Sequence, residues 1–455
     1  MKNLSSYKKR LAIASFLLIC LISCKKTLDV KPDKKLAVIS NVADLQALLD
    51  YFVVMNHNDQ SVAVICEDSY ALTDAVFASR NDFEKRLYLY EGANVLPPSY
   101  NDWKDLYAQV YIANTVLYEL KDLKLEKQEF LSAKAVEGQA LFQRAKVFFN
   151  VASVWALAFD EATADRDLGI PLRLDPDFNL PTNRASVRES YDQIIKDLKR
   201  AISLLPSKEL SATRATKPAA YGYLARVYLS MRKYQEAGRY ADSALQLQPA
   251  LLDYNKLNVT ESFPVKHLNV EVLYDGRMPS ASPITQARAL IKPELFNLYD
   301  EFDLRRKVFF NSLANQTYTF KGHYAGRAAH FNGIATDELY LIRAECSTRD
   351  NNLVKALSDL NYLLQNRYQT GKFLPLNLSN KEELLEVIIA ERRKELLMRG
   401  LRWIDIKRLN KDGANIAINR VVNGTNYVLP PNDNRFAIAI PEDVIAMTGI
   451  PQNIR

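Results

Sequence analysis

The 455-residue chain contains only four histidines: His57, His267, His323 and His330. His323 and His330 stand seven residues apart, the distance of two helical turns. Gly326 lies between them, and no cysteine or acidic ligand spacing joins them, so no metal centre follows from the pattern. There is no G-x-S-x-G elbow, no phosphate-binding P-loop and no H-E-x-x-H pair. Acidic residues are plentiful, which leaves a carboxylate pair for glycoside hydrolysis open, yet no spacing singles one out. Non-catalytic ligand binding needs less. Flat aromatic faces stack on sugar rings while polar side chains read hydroxyls. The candidates for this are Tyr70, Tyr88, Tyr100, Tyr318, His323 and Tyr324, in the loop segments 57–102 and 256–330. Each is also a candidate for ordinary packing.

A second constellation lies at residues 388–409, IIAERRKELLMRGLRWIDIKRL. Leu385, Ile389 and Leu396 recur at helical spacing. Glu391 and Glu395 are i, i+4, and Arg392 is i, i+3 from Glu395, so opposite charges meet on adjacent turns. Gly400 suits the left-handed position that ends a helix. Trp403 and Ile406 then share one face of a following helix, with Asp405 and Arg408 i, i+3 on another. Either this is a solvated charged face, or it is a corner locked by ion pairs around an indole; neither makes it catalytic.

Helical periodicity predicts the elements that position these residues. The spans are about 103–123, 134–159, 186–205, 217–249, 337–368 and 382–409, after a first helix near Leu45–Phe52. Ser186 with Glu189 forms a capping box. Tyr221, Leu224, Ala225, Tyr228, Ala237, Ala244 and Pro249 fall at the spacing of a tetratricopeptide helix–turn–helix. Ala344 and Ala356 repeat the twelve-residue offset of Ala225 and Ala237. The implied fold is mainly α, tetratricopeptide-like helical repeats with an irregular loop-rich lobe made of about 57–102 and 250–333. Val270, Val272 and Tyr274 alternate like a short strand, as do Tyr318 and Phe320. Trp103 and Trp155 fall in helical patterns and belong to the core.

Only 14 glycines argue against a turn-rich β protein. The net charge is +7, but residues 1–23 carry Lys2, Lys8, Lys9 and Arg10 and no acid. This positive start, the apolar run from Leu11 to Ile22 and the small Ser23 form a secretory signal peptide, too short to span a membrane. Removing its four positive charges leaves +3, with no basic stripe that would ask for nucleic acid. Leu21-Ile22-Ser23-Cys24 resembles the lipobox of bacterial lipoproteins, which would make Cys24 a lipid attachment point and residues 24–40 a tether. Cys66 and Cys346 then remain, too few for a disulfide framework.

Glu391, Arg392, Arg393, Glu395, Leu396, Gly400, Arg402, Trp403, Asp405 and Arg408 together closely resemble the C-terminal hallmark of the SusD/RagB family of nutrient-binding outer-membrane lipoproteins. Where the family usually has an acidic residue before the glycine, this chain has Arg399. The helix from Trp103 to Asn114, Asn269–Leu273, Asp303–Arg306, Ile440-Pro441 and Gln452-Asn453 resemble family landmarks in the same order. The usual Pro-Gly after the last asparagine is missing. The resemblance implies a single domain over 41–455 and a structural role for the hallmark. It implies no catalysis and no cofactor. It further implies capture of oligosaccharide or peptide on loops outside the repeats, at the cell surface, with delivery to a SusC-like TonB-dependent transporter that contacts the repeat face. A scaffold lipoprotein that binds only protein, or a secreted glycoside hydrolase, are the alternatives.

Overall fold

The computed structural model describes residues 39–99, 101–322 and 324–455. Cys24, Tyr100 and His323 lie outside the described residues. Ten helices of eight residues or more occur among those described. They are α1 (Val42–Leu49), α2 (Asp102–Asp122), α3 (Phe130–Trp155), α4 (Val187–Leu204), α5 (Lys217–Ser230), α6 (Tyr234–Leu247), α7 (Thr336–Arg349), α8 (Leu353–Gln365), α9 (Lys381–Glu395) and α10 (Arg402–Lys411). Local chemistry sets most of their starts. Asn41 and Asp44 exchange side-chain and backbone bonds at α1, and Ser186 and Glu189 do the same at α4. Asn101, Thr216, Asn352 and Asn380 each accept a first-turn N–H at α2, α5, α8 and α9. Such caps satisfy donors that no helical carbonyl can reach, and each is worth about 1 kcal/mol.

From α2 to α6 each helix packs on the next, α6 packs on α7, and α7 packs on both α8 and α9. The result is a stacked helical array in which no pair could bury its apolar face alone. Each expected repeat is two helices joined by a left-handed residue, Arg232 (φ 62°) in one and Asn351 (φ 61°) in the other. Ala225, Ala237, Ala344 and Ala356 are completely buried at the helix contacts. Between the repeats, an ideal Cβ on Gly238 would lie 2.9 Å from the Cys346 Cβ, so this glycine lets α6 and α7 touch. α3 is buried on all sides from Gly138 to Trp155 and starts four residues earlier than its pattern suggests. Its Lys146 reaches Asp59 at 2.8 Å and its Arg144 reaches Asp197 at 2.8 Å, so its buried charges are paired.

The two loop segments are one lobe. Strands Tyr70–Ala71, Leu290–Ile291, Tyr318–Phe320 and Phe310–Ser312 form an antiparallel sheet in that spatial order, with Tyr70 opposite Ile291. A ladder of Val272–Tyr274 with Ile334–Ala335 closes the base of the lobe where the chain returns to α7. All three residues of Val272–Tyr274 are buried, because both faces of this strand are covered. A hairpin, Ile418–Val422 with Thr425–Leu429, turns through Asn423 (φ 49°) and Gly424 (φ 75°). That pair of positive φ angles matches the twist of the flanking strands.

Candidate functional site

The charged constellation around α9 and α10 is buried. Glu395 accepts from Arg305 Nη1 at 2.8 Å and Arg367 Nε at 2.7 Å. Glu391 accepts from Arg305 Nη2 at 2.8 Å and Lys394 at 2.6 Å, while Asp303 holds the same guanidinium at 2.7 Å. Arg392 reaches Asp405 at 2.9 Å rather than Glu395 on its own helix. Arg408 bridges Asp405 at 2.7 Å and Glu345 of α7 at 2.7 and 2.9 Å. Arg402 makes a two-pronged bond to Asp68 at 2.8 Å, to which Arg393 adds a longer contact at 3.3 Å. Trp403, fully buried, lies between Tyr90 and Phe436. Gly400 has φ 72°, but α9 has already ended at Glu395, so the glycine turns the connection into α10 instead of capping α9. Leu396 packs in the apolar cluster beneath it.

Arg399, the departure from the family pattern, donates to Asp337 at 2.6 Å. Glu271, Asp337 and Glu395 bring carboxylate oxygens within 4.8 Å of one another, the spacing of a cation site. Arg367 binds Glu271 at 2.9 Å, and Arg305, Arg367 and Arg399 together neutralise the trio. Burial pushes the Glu271 carboxyl up to about 7 against the pull of Arg367.

Three of the aromatic candidates offer no face to a ligand. Tyr70 and Tyr88 are 0% and 1% exposed and pack around the buried Arg420 guanidinium, 4.9 and 4.1 Å from their ring centroids. Arg420 donates to the Tyr70 carbonyl at 2.7 Å and to those of Ile65 and Glu67. Tyr324 is 2% exposed, and its hydroxyl meets Glu271 and, at 3.0 Å, Asp337. These tyrosines are corrected to packing residues, because each ring closes over a buried charge. Tyr318 stays half-exposed, stacked on Phe296 with ring centroids 3.5 Å apart.

A cavity of about 250 Å³ opens in the same lobe beside the sheet. One wall is the turn from Pro279 to Ala287; the other is Phe320, Gly322 and the stretch from Arg327 to His330. The Phe320 and His330 rings meet edge to face at 5.8 Å. Burial pushes the His330 imidazole down to about 4, so it is neutral near pH 7. Thr285 and Gln286 supply polar groups on the first wall. From the other loop segment, Arg80 donates to the Ser282 hydroxyl, which also accepts from Arg288 at 2.8 Å. The cavity thus lies within the second loop segment, beside a residue that Arg80 of the first segment reaches, with polar groups on its walls. It holds no assembled nucleophile, base and oxyanion pair among the described residues.

Sequence reasoning missed Gln286, Phe320, Arg327 and His330 as one group. The available signal was compositional: Ser280-Ala281-Ser282 and Ala325-Gly326-Arg327-Ala328-Ala329 are runs too small to fill a core. Small residues on both walls leave space.

Comparisons with known proteins place this architecture. Residues 26–229 match a family model described as starch-binding associating with outer membrane, and residues 335–445 match the SusD family model. The SusD-like protein P2 of Formosa agariphila is 25% identical over 371 residues, covering 68% of this chain and 71% of that protein. A SusD superfamily crystal structure from Bacteroides thetaiotaomicron superposes with a TM-score of 0.74 at 20% identity, covering 91% of this chain and 100% of that one. A laminarin binding SusD-like protein superposes with a TM-score of 0.64 at 17% identity, over 91% and 99% of the two chains.

Proposed function

Because the chain belongs to the SusD/RagB family, we propose that it is a non-catalytic binding protein that captures glycan, or peptide, fragments in the loop cavity and passes them to a SusC-like TonB-dependent transporter. The observation that carries this reading is the cavity itself. It opens in the loop lobe, outside the helical repeats, and Gln286, Thr285 and the half-buried His330 ring present the polar groups and flat edge that sugars need. The laminarin binding relative supports a glycan over a peptide. Cys24 would carry the lipid anchor, with residues 24–40 as tether, on the outer-membrane surface. No helix among the described residues is long and apolar enough to cross a membrane.

The transporter contact is assigned to the repeat side. Tyr111, Tyr118, Phe130, Leu131, Leu174 and Phe178 are all exposed along α2, the start of α3 and the loop after it. That is more clustered apolar surface than an isolated soluble face needs. The same surface favours the second reading, a scaffold that binds only protein. Mild-detergent co-purification from native membranes separates them: a large β-barrel transporter in near-equal amount supports the uptake reading. Other partners, together with no saturable glycan binding, would favour the scaffold. Cys24→Ala should release the protein from washed membranes; continued pelleting would refute the anchor.

A further inference from the structure

Charges around the loop cavity do not balance. Arg327 is exposed on its wall, and its guanidinium makes no hydrogen bond or ion pair among the described residues. Arg288 bonds only Ser282 there, through the hydroxyl at 2.8 Å and the carbonyl at 3.0 Å, and has no carboxylate partner among the described residues. Arg80, on the same hydroxyl, has Glu84 no nearer than 3.9 Å. Lys321, beside Phe320, is held by the carbonyls of Val259 at 3.0 Å and Lys307 at 3.3 Å instead of an acid. No Asp or Glu lines the cavity among the described residues. The nearby Asp275 is already engaged by His57, His267 and Arg277.

This is the reverse of the rest of the molecule, where buried guanidiniums nearly always meet carboxylates. An anion entering here would find positive charge without having to displace an existing ion pair. A guanidinium fork matches the oxygens of a carboxylate or sulfate, and Arg327 is free to swing onto them.

We propose that the cavity takes an acidic oligosaccharide, one bearing carboxylate or sulfate groups, and that Arg327 is the residue that reads the charge. This rests on the reading of the cavity as the glycan site. Two sources share the chemistry, uronic acids and sulfated sugars, and the test separates them.

The test is calorimetry on the full chain with oligogalacturonides, sulfated carrageenan oligosaccharides, and neutral laminari- and malto-oligosaccharides, at low and high salt. At least one acidic class should bind about tenfold or more tightly than the neutral ones, and added salt should weaken it. Arg327→Gln, at an exposed position without partners, should cost that ligand about tenfold in affinity and leave melting unchanged. Arg288→Gln should weaken it further. If neutral oligosaccharides bind at the cavity as tightly as both acidic classes, the inference fails while the glycan reading stands. If Arg327→Gln and Arg288→Gln both bind the acidic ligand like the parent, the inference fails. If nothing in the panel binds a correctly folded chain, both readings fail.

Discussion

The α9–α10 corner and the loop cavity are both rich in arginine, and they use it in opposite ways. At the corner every guanidinium of Arg305, Arg367, Arg392, Arg402 and Arg408 meets a carboxylate within 2.9 Å, mostly out of solvent. On the cavity wall Arg327 meets none among the described residues, and neither does Arg288, which bonds Ser282 beside that wall. A buried charge left unpaired is costly, so a fold that needs charges for structure supplies their partners internally. A charge kept at an open cavity without a partner contributes little to stability and remains available to something that arrives. The contrast therefore separates residues that hold the fold from residues that use it.

Removing one partner at the corner should have the largest effect. Glu395→Ala takes the acceptor from Arg305 Nη1 and Arg367 Nε in a buried network, although Asp303, Glu391 and Glu271 remain, and should cost about 3 kcal/mol in chemical denaturation. Trp403→Ala, which empties the space between Tyr90 and Phe436, should cost about 3 kcal/mol or more by the same measurement. Acid should reach the corner as well. Burial opposes ionisation of Asp68, Glu338, Glu345 and Asp405, but Arg402, Arg226, Arg408 and Arg392 outweigh it and hold all four below the ordinary carboxylate range. Their contribution is complete above about pH 5 and is lost as pH falls through those depressed values. Glu271, held up to about 7 by burial, acts oppositely: its penalty grows as pH rises from the ordinary carboxylate range toward 7. Melting temperature should thus peak in mildly acidic buffer and fall on acidification; a flat profile down to pH 3 would contradict the pairing. Ser186→Ala, which removes the α4 cap, should cost about 1 kcal/mol. Arg327→Gln should change stability by no more than about 0.5 kcal/mol.

The corner was far more legible in the sequence than the cavity. Glu391, Trp403, Asp405 and Arg408 stand close together in the chain, and helical spacing pairs Asp405 with Arg408 within one helix. Sequence did not reveal that Arg305 and Arg367 complete the set, because those contacts span 90 and 28 residues of chain. The helical array was legible for the same reason, since its alanine offsets are local. In the sequence Tyr70, Tyr88 and Tyr324 are flat faces in loop segments, but a tyrosine ring is equally suited to cover a buried arginine or carboxylate. Arg420, which decides the matter for two of them, comes from a hairpin 350 residues away from Tyr70. Arg327 shows no periodicity. What marks it is its exposed place on the cavity wall, which only the folded chain displays.

Ligand binding at the loop cavity, with the corner only supporting it, is tested directly by hydrogen–deuterium exchange with and without a bound oligosaccharide. Residues 279–288 and 320–331 should gain protection on binding, and α9 and α10 should exchange slowly and equally in both states. Protection confined to the repeat face or to the corner, with the cavity walls unchanged, would contradict the account.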